Sequence, residues 1–153
     1  MIPQNETPPS LTILHVEDNL AHAELVRRSF EEHAITNVIH HVSDGEMALD
    51  YLYQRNDFAD PKTSPRPNFI LLDLRLPRID GLEVLKTLKA DEQLKQIPVV
   101  ALTTSQAEQD VTHAYSYHVN SYLTKPVDFN TFTRLMEDLG IYWLNYNQNP
   151  TFP

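Results

Sequence analysis

The chain has 153 residues, 41% of them hydrophobic, and a formal net charge of -9, which is typical of one acidic globular domain. This charge, without a cluster of Lys or Arg, argues against binding to nucleic acid or to an anionic membrane. The chain contains no cysteine, which excludes disulfides, thiolate catalysis and Cys-ligated zinc, and no apolar stretch approaches the ~20 residues of a membrane span.

Taken in chain order, the sequence predicts a tail followed by five strands that alternate with five helices. Residues 1–10 are polar, contain prolines and lack the features of a signal peptide, so we expect a flexible tail on a soluble cytoplasmic protein. The strands are short runs rich in Val, Ile and Leu, over residues 11–16, 37–42, 68–73, 97–103 and 121–124. The helices have amphipathic spacing and cover about residues 20–33, 45–53, 82–91, 107–118 and 128–143.

Local signals mark where several of these helices begin. Asp18 or Asn19 is the predicted N-cap of the first helix, Ser43-Asp44-Gly45 opens the second, and Asp128 caps the last. A polar loop over residues 55–67 holds three prolines, none of which a helix interior tolerates. We expect one domain over residues 11–146 and a C-terminal tail over residues 147–153.

The alternation of strand and helix predicts a doubly wound α/β domain. Crossovers between parallel strands are right-handed almost without exception, so the favoured arrangement is a flavodoxin-like (βα)5 sandwich with strand order 2-1-3-4-5. The first and third strands then lie side by side, which places Asp18 next to Asp73. Ligands of such sheets bind outside the carboxyl ends of the strands, at this point.

Polar residues follow or close four of the predicted strands. Glu17, Asp18 and Asp73 would bring three carboxylates together, and such groups repel one another unless a cation enters. Mg²⁺ takes oxygen ligands and often binds one or two carboxylates together with a phosphate, and no EF-hand spacing is present. The sequence therefore predicts a magnesium site at this edge of the sheet.

The same edge contains groups suited to phosphoryl transfer. Asp73 is a possible nucleophile, because an aspartate can form an acyl phosphate. Lys125 can pair with phosphoryl oxygens as a compact cation, and the Thr103 hydroxyl can donate one hydrogen bond. Each residue alone has an ordinary structural explanation, but their collection at one edge does not.

These residues resemble the receiver domains of response regulators in two-component signalling, and the match covers nearly everything from Leu11 to about Leu139. Asp73 stands where the family has its phosphoacceptor, at the start of a D-x-x-x-P-x-x-D-G pattern. The matching positions are Glu17, Asp18, Asp73, Pro77, Asp80, Gly81, Thr103, Tyr122, Lys125 and Pro126. The resemblance implies Mg²⁺-dependent transfer from a sensor histidine kinase to Asp73, in a protein that is not otherwise an enzyme.

The resemblance also implies roles for residues around the acceptor. The backbone carbonyl of Arg75 would be a further metal ligand, and Thr103 and Tyr122 would form the switch that reports phosphorylation. The proline-bearing loop, the LTTS stretch and the FNTF…LGIYWL ending are similar to small receivers paired with bacterial and cyanobacterial phytochrome kinases. A phytochrome is therefore the implied kinase, and the downstream target stays open.

The C-terminal segment carries more apolar side chains than one core-facing stripe can bury. Clustered aromatic residues often mark an interface, so we expect a homodimer whose anchors are Tyr142, Trp143 and Tyr146. The histidines do not predict a metal site of their own, because neighbouring His40 and His41 point to opposite faces of a strand. We expect His15 to pack in the core or on a strand face.

Two other functions are compatible with parts of this pattern. The chain could be a phosphorelay intermediate that passes its phosphoryl group to a histidine phosphotransfer protein. It could also be a phosphatase with Asp73 as nucleophile. Phosphatases of the haloacid dehalogenase type need a second carboxylate two residues later, however, and Arg75 stands at that position.

Overall fold

The computed structural model describes residues 11–32, 37–103, 119, 121–124, 128, 130–131 and 134. Its strands are β1 (Leu11–Val16), β2 (Asn37–Val42), β3 (Phe69–Asp73), β4 (Val99–Thr103) and β5 (Ser121–Thr124). Its helices are α1 (Leu20–Glu32), α2 (Gly45–Leu52) and α3 (Gly81–Ala90), with short 3-10 turns at Asn56–Phe58 and Leu94–Gln96. No helix among the described residues combines the length and the apolarity that a membrane crossing would require.

The five strands form one parallel sheet in the order β2-β1-β3-β4-β5, which confirms the predicted topology. In its register Val16 of β1 lies opposite Leu72 of β3, and Asp73 lies opposite Leu102 of β4. The strands therefore end at nearly the same level. Whatever follows β1 and closes β3 meets at one edge of the sheet.

Both faces of the sheet are buried, which explains why the strands are near-continuous apolar runs rather than alternating ones. The face covered by α2 and α3 holds the main apolar cluster, which includes Leu14, Ile70, Leu72, Ala101, Val84, Leu85 and Leu88. Each fully buried Val, Leu or Ile contributes about 1.5–3 kcal/mol relative to exposure. The opposite face carries Ile13 and His15 of β1, and His22 of α1 lies against His15.

Side-chain caps fix where the helices begin. Asn19 Oδ1 accepts from the His22 amide at 3.0 Å, so Asn19 and not Asp18 caps α1. Asp44 caps α2 as predicted, because its carboxylate accepts from the Met47 amide at 2.8 Å. Asp80 caps α3 and lets it start at Gly81, one residue before the predicted start.

The predicted fourth helix lies outside the described residues, as do both tails and most of the fifth helix. Of the fifth helix, Asn130, Thr131 and Arg134 are described as helical. Asp128 precedes them, and its carboxylate accepts from the Thr131 hydroxyl at 2.8 Å. This contact agrees with the predicted cap.

The proline-bearing loop is tied to α2 through Tyr51. The ring is 2% exposed, and its hydroxyl donates to the Pro65 carbonyl oxygen at 2.8 Å. Burial raises the pKa of Tyr51 to about 12. An unfolded tyrosine titrates near pH ~10, so ionisation opposes folding between about pH 10 and pH 12.

We therefore expect stability that is fully present below about pH 10 and lost as the pH rises toward 12, with a maximal slope of about 1.4 kcal/mol per pH unit from Tyr51. Tyr51→Phe should flatten this alkaline loss while it costs about 1 kcal/mol at neutral pH, because the hydrogen bond disappears. Urea unfolding at a series of pH values measures both effects. Tyr53→Phe is the comparison variant and should flatten the loss less, since burial and Asp91 raise the pKa of the exposed Tyr53 by less than burial raises that of Tyr51. An alkaline slope unchanged by Tyr51→Phe would contradict the assignment.

Candidate functional site

Three carboxylates meet at the carboxyl edge of the sheet. One oxygen from each of Glu17, Asp18 and Asp73 lies within 4.8 Å of the others. Glu17 and Asp73 are 0% and 3% exposed, whereas Asp18 is open to solvent. The result is an acidic pocket with two buried walls and one exposed carboxylate at its mouth.

Glu17 is held by contacts to both carboxylate oxygens and to its backbone. Oε2 accepts from the Asn19 amide at 3.1 Å, and Oε1 lies 2.9 Å from His22 Nδ1. The Glu17 amide donates to Val42 O at 3.0 Å, and His41 Nε2 donates to the Glu17 carbonyl at 2.7 Å. The carboxylate is thus oriented before any cation binds.

Asp73 is positioned by the chain on both sides of it. Its Oδ1 accepts from the Arg75 amide at 2.9 Å, and the next residue, Leu74, donates its amide to Leu102 O at 3.0 Å. A Cβ atom on Gly81 would lie 2.1 Å from the Asp73 carbonyl oxygen, so only glycine permits this approach of α3. The Asp73 carboxylate is therefore positioned by contacts on both sides of the end of β3.

The loop between β3 and α3, residues 74–80, is also held from α2. A Cβ on Gly45 would lie 1.9 Å from the Ile79 carbonyl oxygen, which requires glycine at the start of α2. Arg78 Nη2 pairs with Glu46 Oε2 at 2.6 Å, and this ion pair is largely exposed. Exposed ion pairs contribute only about 0–1 kcal/mol to stability. The close packing of Gly45 against Ile79 therefore does more than the ion pair to fix the position of the loop.

The other predicted site residues are only partly described. Thr103 ends β4 opposite Thr124 of β5, but its side chain lies outside the described part of the chain, as does all of Lys125. Tyr122 is half-buried in β5 and packs against the apolar cluster. Arg75 is exposed and offers its amide to Asp73. Tyr142, Trp143 and Tyr146 lie outside the described residues.

Sequence reasoning missed two residues that contact Glu17. His22 and His41 reach it from α1 and β2. A signal for His22 was available, since it is the third helical residue after the Asn19 cap, where a side chain turns back toward the preceding loop. No such signal marks His41, whose contact depends on the pairing of β1 with β2.

The donor set of the pocket fits a hard divalent cation. Two carboxylates 4–5 Å apart repel by roughly 1–4 kcal/mol, depending on how much water screens them, and a cation among them reverses the sign of this term. The pocket offers carboxylate oxygens and an open side for water, which suits Mg²⁺ with several retained waters.

Comparison with known proteins gives a consistent result. The sequence-family model named response regulator receiver domain matches residues 13–137 of the chain. A probable methanogenesis regulatory protein, FilR2 of Methanothrix harundinacea, is 48% identical over 95% of this chain and 91% of its own. The response regulator Rcp1 of Synechocystis is 41% identical over 92% of this chain and 93% of its own.

Solved structures agree with the sequence relatives. The bacteriophytochrome response regulator AtBRR has a TM-score of 0.79 and 42% identity, covering 89% of this chain and 96% of its own. The Mn²⁺-bound form of Rcp1 has a TM-score of 0.72 and 40% identity, covering 94% of this chain and 99% of its own. The similarity extends over almost the whole length of these proteins.

Proposed function

This chain belongs to the response regulator receiver family, and from that premise we propose that it is a single-domain response regulator phosphorylated on Asp73 by a sensor histidine kinase. The observation that carries the proposal is the buried Asp73 carboxylate at the end of β3, within 4.8 Å of Glu17 and Asp18. A lone aspartate there would be an ordinary loop residue. Three carboxylates brought this close repel one another in the folded state, and a bound cation would offset this repulsion.

The reaction is a displacement at phosphorus. An Asp73 carboxylate oxygen forms a bond to the phosphorus atom while the bond from phosphorus to the kinase histidine nitrogen breaks. The Arg75 amide fixes Oδ1, and the neighbouring β4 fixes the end of the strand, so the attacking carboxylate is oriented in advance. Glu17, Asp18, Asp73 and the Arg75 carbonyl would hold Mg²⁺, which neutralises charge on the incoming phosphoryl group.

Further groups are assigned by the family pattern. We propose that the Lys125 ammonium pairs with phosphoryl oxygens and that the Thr103 hydroxyl donates to one of them. Thr103 and Tyr122 would then act together, with the aromatic ring changing position when the hydroxyl moves toward the phosphoryl group. Tyr122 is suitable for this because it is half-buried in β5, beside the strand that Thr103 ends.

We propose a phytochrome kinase as the partner of this cytoplasmic chain, because the bacteriophytochrome response regulator AtBRR resembles it over nearly its whole length. FilR2 matches a similar share of this chain, and its name points to regulation of methanogenesis rather than to a phytochrome. Phosphotransfer measurements therefore have to identify the kinase. The acidic composition continues to argue against nucleic acid and an anionic membrane as partners.

The test is phosphotransfer from a purified bacteriophytochrome kinase that carries a labelled phosphohistidine. We expect label to move to this chain with Mg²⁺ and not with a chelator, and a sensor kinase of another class should transfer more slowly. Acetyl phosphate serves as a kinase-independent donor. Label accepted from acetyl phosphate but not from the phytochrome would reject the partner only, whereas no label from either donor would reject the function.

We also propose a homodimer anchored by Tyr142, Trp143 and Tyr146, on the sequence pattern alone. Replacing Tyr142 and Tyr146 with Ser should yield a folded monomer, because aromatic anchors carry much of an interface's free energy. Light scattering at tens of micromolar, before and after phosphorylation, measures the mass. A monomeric wild-type protein in both states would contradict the dimer, and a dimer that survives both substitutions would move its interface elsewhere.

A further inference from the structure

Three histidines lie around Glu17 on the side of the sheet that α1 covers, His15 and His22 near its carboxylate and His41 against its backbone carbonyl. His15 of β1 lies opposite His41 of β2, with ring centroids 6.0 Å apart. His22 of α1 stands over His15 at 6.2 Å between centroids, in an edge-on arrangement. Imidazoles and a carboxylate concentrated in the interior are uncommon, because a buried polar group costs free energy unless it is hydrogen-bonded or coordinates a metal.

Two of these histidines form a ligand set with Glu17. One nitrogen of His15, one nitrogen of His22 and one oxygen of Glu17 all lie within 4.8 Å of one another. His15 and Glu17 are 1% and 0% exposed, and His22 is 9% exposed. His22 Nδ1 contacts Glu17, but its Nε2 is buried without a hydrogen-bond partner among the described residues.

The chemistry of this set differs from that of the acidic pocket. Two imidazole nitrogens and one carboxylate oxygen match borderline divalent cations such as Zn²⁺, whereas three carboxylates match Mg²⁺. A cleft of about 220 Å³ between α1 and β2, lined by His15, Leu20, Arg27 and His41, reaches His15 from solvent. One of the three ligands therefore borders a cleft that no residue of the acidic pocket lines.

We propose that His15, Glu17 and His22 form a second cation site, for Zn²⁺ or a chemically similar ion, which competes with Mg²⁺ for Glu17. Glu17 belongs to both ligand sets. Two dications that share one carboxylate at such close range repel strongly, and the acidic pocket loses one of its three oxygens when Glu17 turns toward the histidines. Zn²⁺ bound there would suppress Mg²⁺-dependent phosphorylation. The competition rests on the proposed magnesium site, but the histidine site does not.

This site was not expected from the sequence, where the histidines indicated no metal. His15 and His22 lie on different elements, and only the packing of α1 against β1 brings their rings together. The competing explanation is that His22 merely orients Glu17 through its hydrogen bond. In that case Zn²⁺ would bind, if at all, in the acidic pocket.

The experiment measures Zn²⁺ binding by calorimetry and Co²⁺ binding by visible absorption, which reports imidazole ligation. The variants are Asp18→Asn with Asp73→Asn, which disables the acidic pocket, and His22→Asn, whose amide can still donate to Glu17 from the position of Nδ1. His40→Asn is the matched control, because His40 packs against Tyr51 and contacts none of the proposed ligands. Circular dichroism verifies that each variant is folded.

We expect the Asp18→Asn, Asp73→Asn protein to lose Mg²⁺ binding and keep Zn²⁺ binding with an imidazole-type Co²⁺ spectrum. His22→Asn should lower the affinity for Zn²⁺ at least about tenfold, and His40→Asn should leave this affinity unchanged. In the wild type, added Mg²⁺ should lower the apparent affinity for Zn²⁺, because both ions use Glu17. Zn²⁺ binding lost with the acidic pocket, or unaffected by His22→Asn, would overturn the proposal. If His22→Asn does not fold, the Co²⁺ spectrum of the Asp18→Asn, Asp73→Asn protein decides alone.

Discussion

Asp73→Asn is expected to reduce phosphorylation of the protein to background, with acetyl phosphate or a histidine kinase as donor. The amide keeps the shape of the side chain and can still accept from the Arg75 amide, so the end of β3 should hold its position. It lacks a carboxylate oxygen that can attack phosphorus and form an acyl phosphate. Intact-mass spectrometry and radiolabelling both measure the loss.

The matched control for this substitution is Asp80→Asn. Asp80 lies in the same D-x-x-x-P-x-x-D-G segment, but its carboxylate caps α3 through Gly81 and the residue is exposed. Asp80→Asn should cost at most about 1 kcal/mol of stability, since Asn is a comparable cap, and should leave labelling intact. Stoichiometric labelling of the Asp73→Asn protein would remove Asp73 from the acceptor role.

The second large effect is expected at the proposed cation site formed by Glu17, Asp18 and Asp73. Mg²⁺ at a hundredfold excess over its dissociation constant should add about 2.7 kcal/mol to the free energy of unfolding. Asp18→Asn should abolish most of this increment, because one of the three converging carboxylates is gone. Without Mg²⁺ the same substitution should raise stability by roughly 1–2 kcal/mol, since it relieves repulsion with Glu17 and Asp73.

Thermal unfolding with and without Mg²⁺ measures both signs in one experiment. Asp57→Asn is the control, because Asp57 is exposed on the 3-10 turn after α2, outside the ligand set. NMR shifts along β1 and β3 provide a direct binding readout. An Asp18→Asn protein that is destabilised without Mg²⁺, or still gains the full increment with it, would contradict the proposed pocket.

Features set by local chemistry and by strand order could be predicted from the sequence. The apolar runs, the Asp44 cap and the order of the strands follow from periodicity, capping preference and crossover handedness. The proximity of Asp18 to Asp73 follows from that order, because β1 and β3 are neighbours and both residues stand at the carboxyl ends of these strands. Thr103 and Lys125 remain predictions in their roles.

Features set by packing between elements could not be predicted. Asp18 and Asn19 are both preferred N-cap residue types, so local preference alone does not say that Asn19 caps α1. The contact of His41 with Glu17 depends on the pairing of β1 with β2, which no local pattern indicates. The hydrogen bond from the Tyr51 hydroxyl to the Pro65 carbonyl, which ties the proline-bearing loop to α2, joins residues fourteen positions apart.

The loop between β3 and α3 has a practical consequence for building a reporter of this protein. Its two ends are clamped together at the contact of Gly81 with Asp73, while Arg75, Pro77 and Arg78 face solvent between them. Extra residues inserted at Pro77 would lengthen a loop already closed, and the entropy of closure grows slowly with loop length. We expect a fluorescent module inserted at this position to lie beside the Asp73 carboxylate and to leave the contact between β3 and α3 in place.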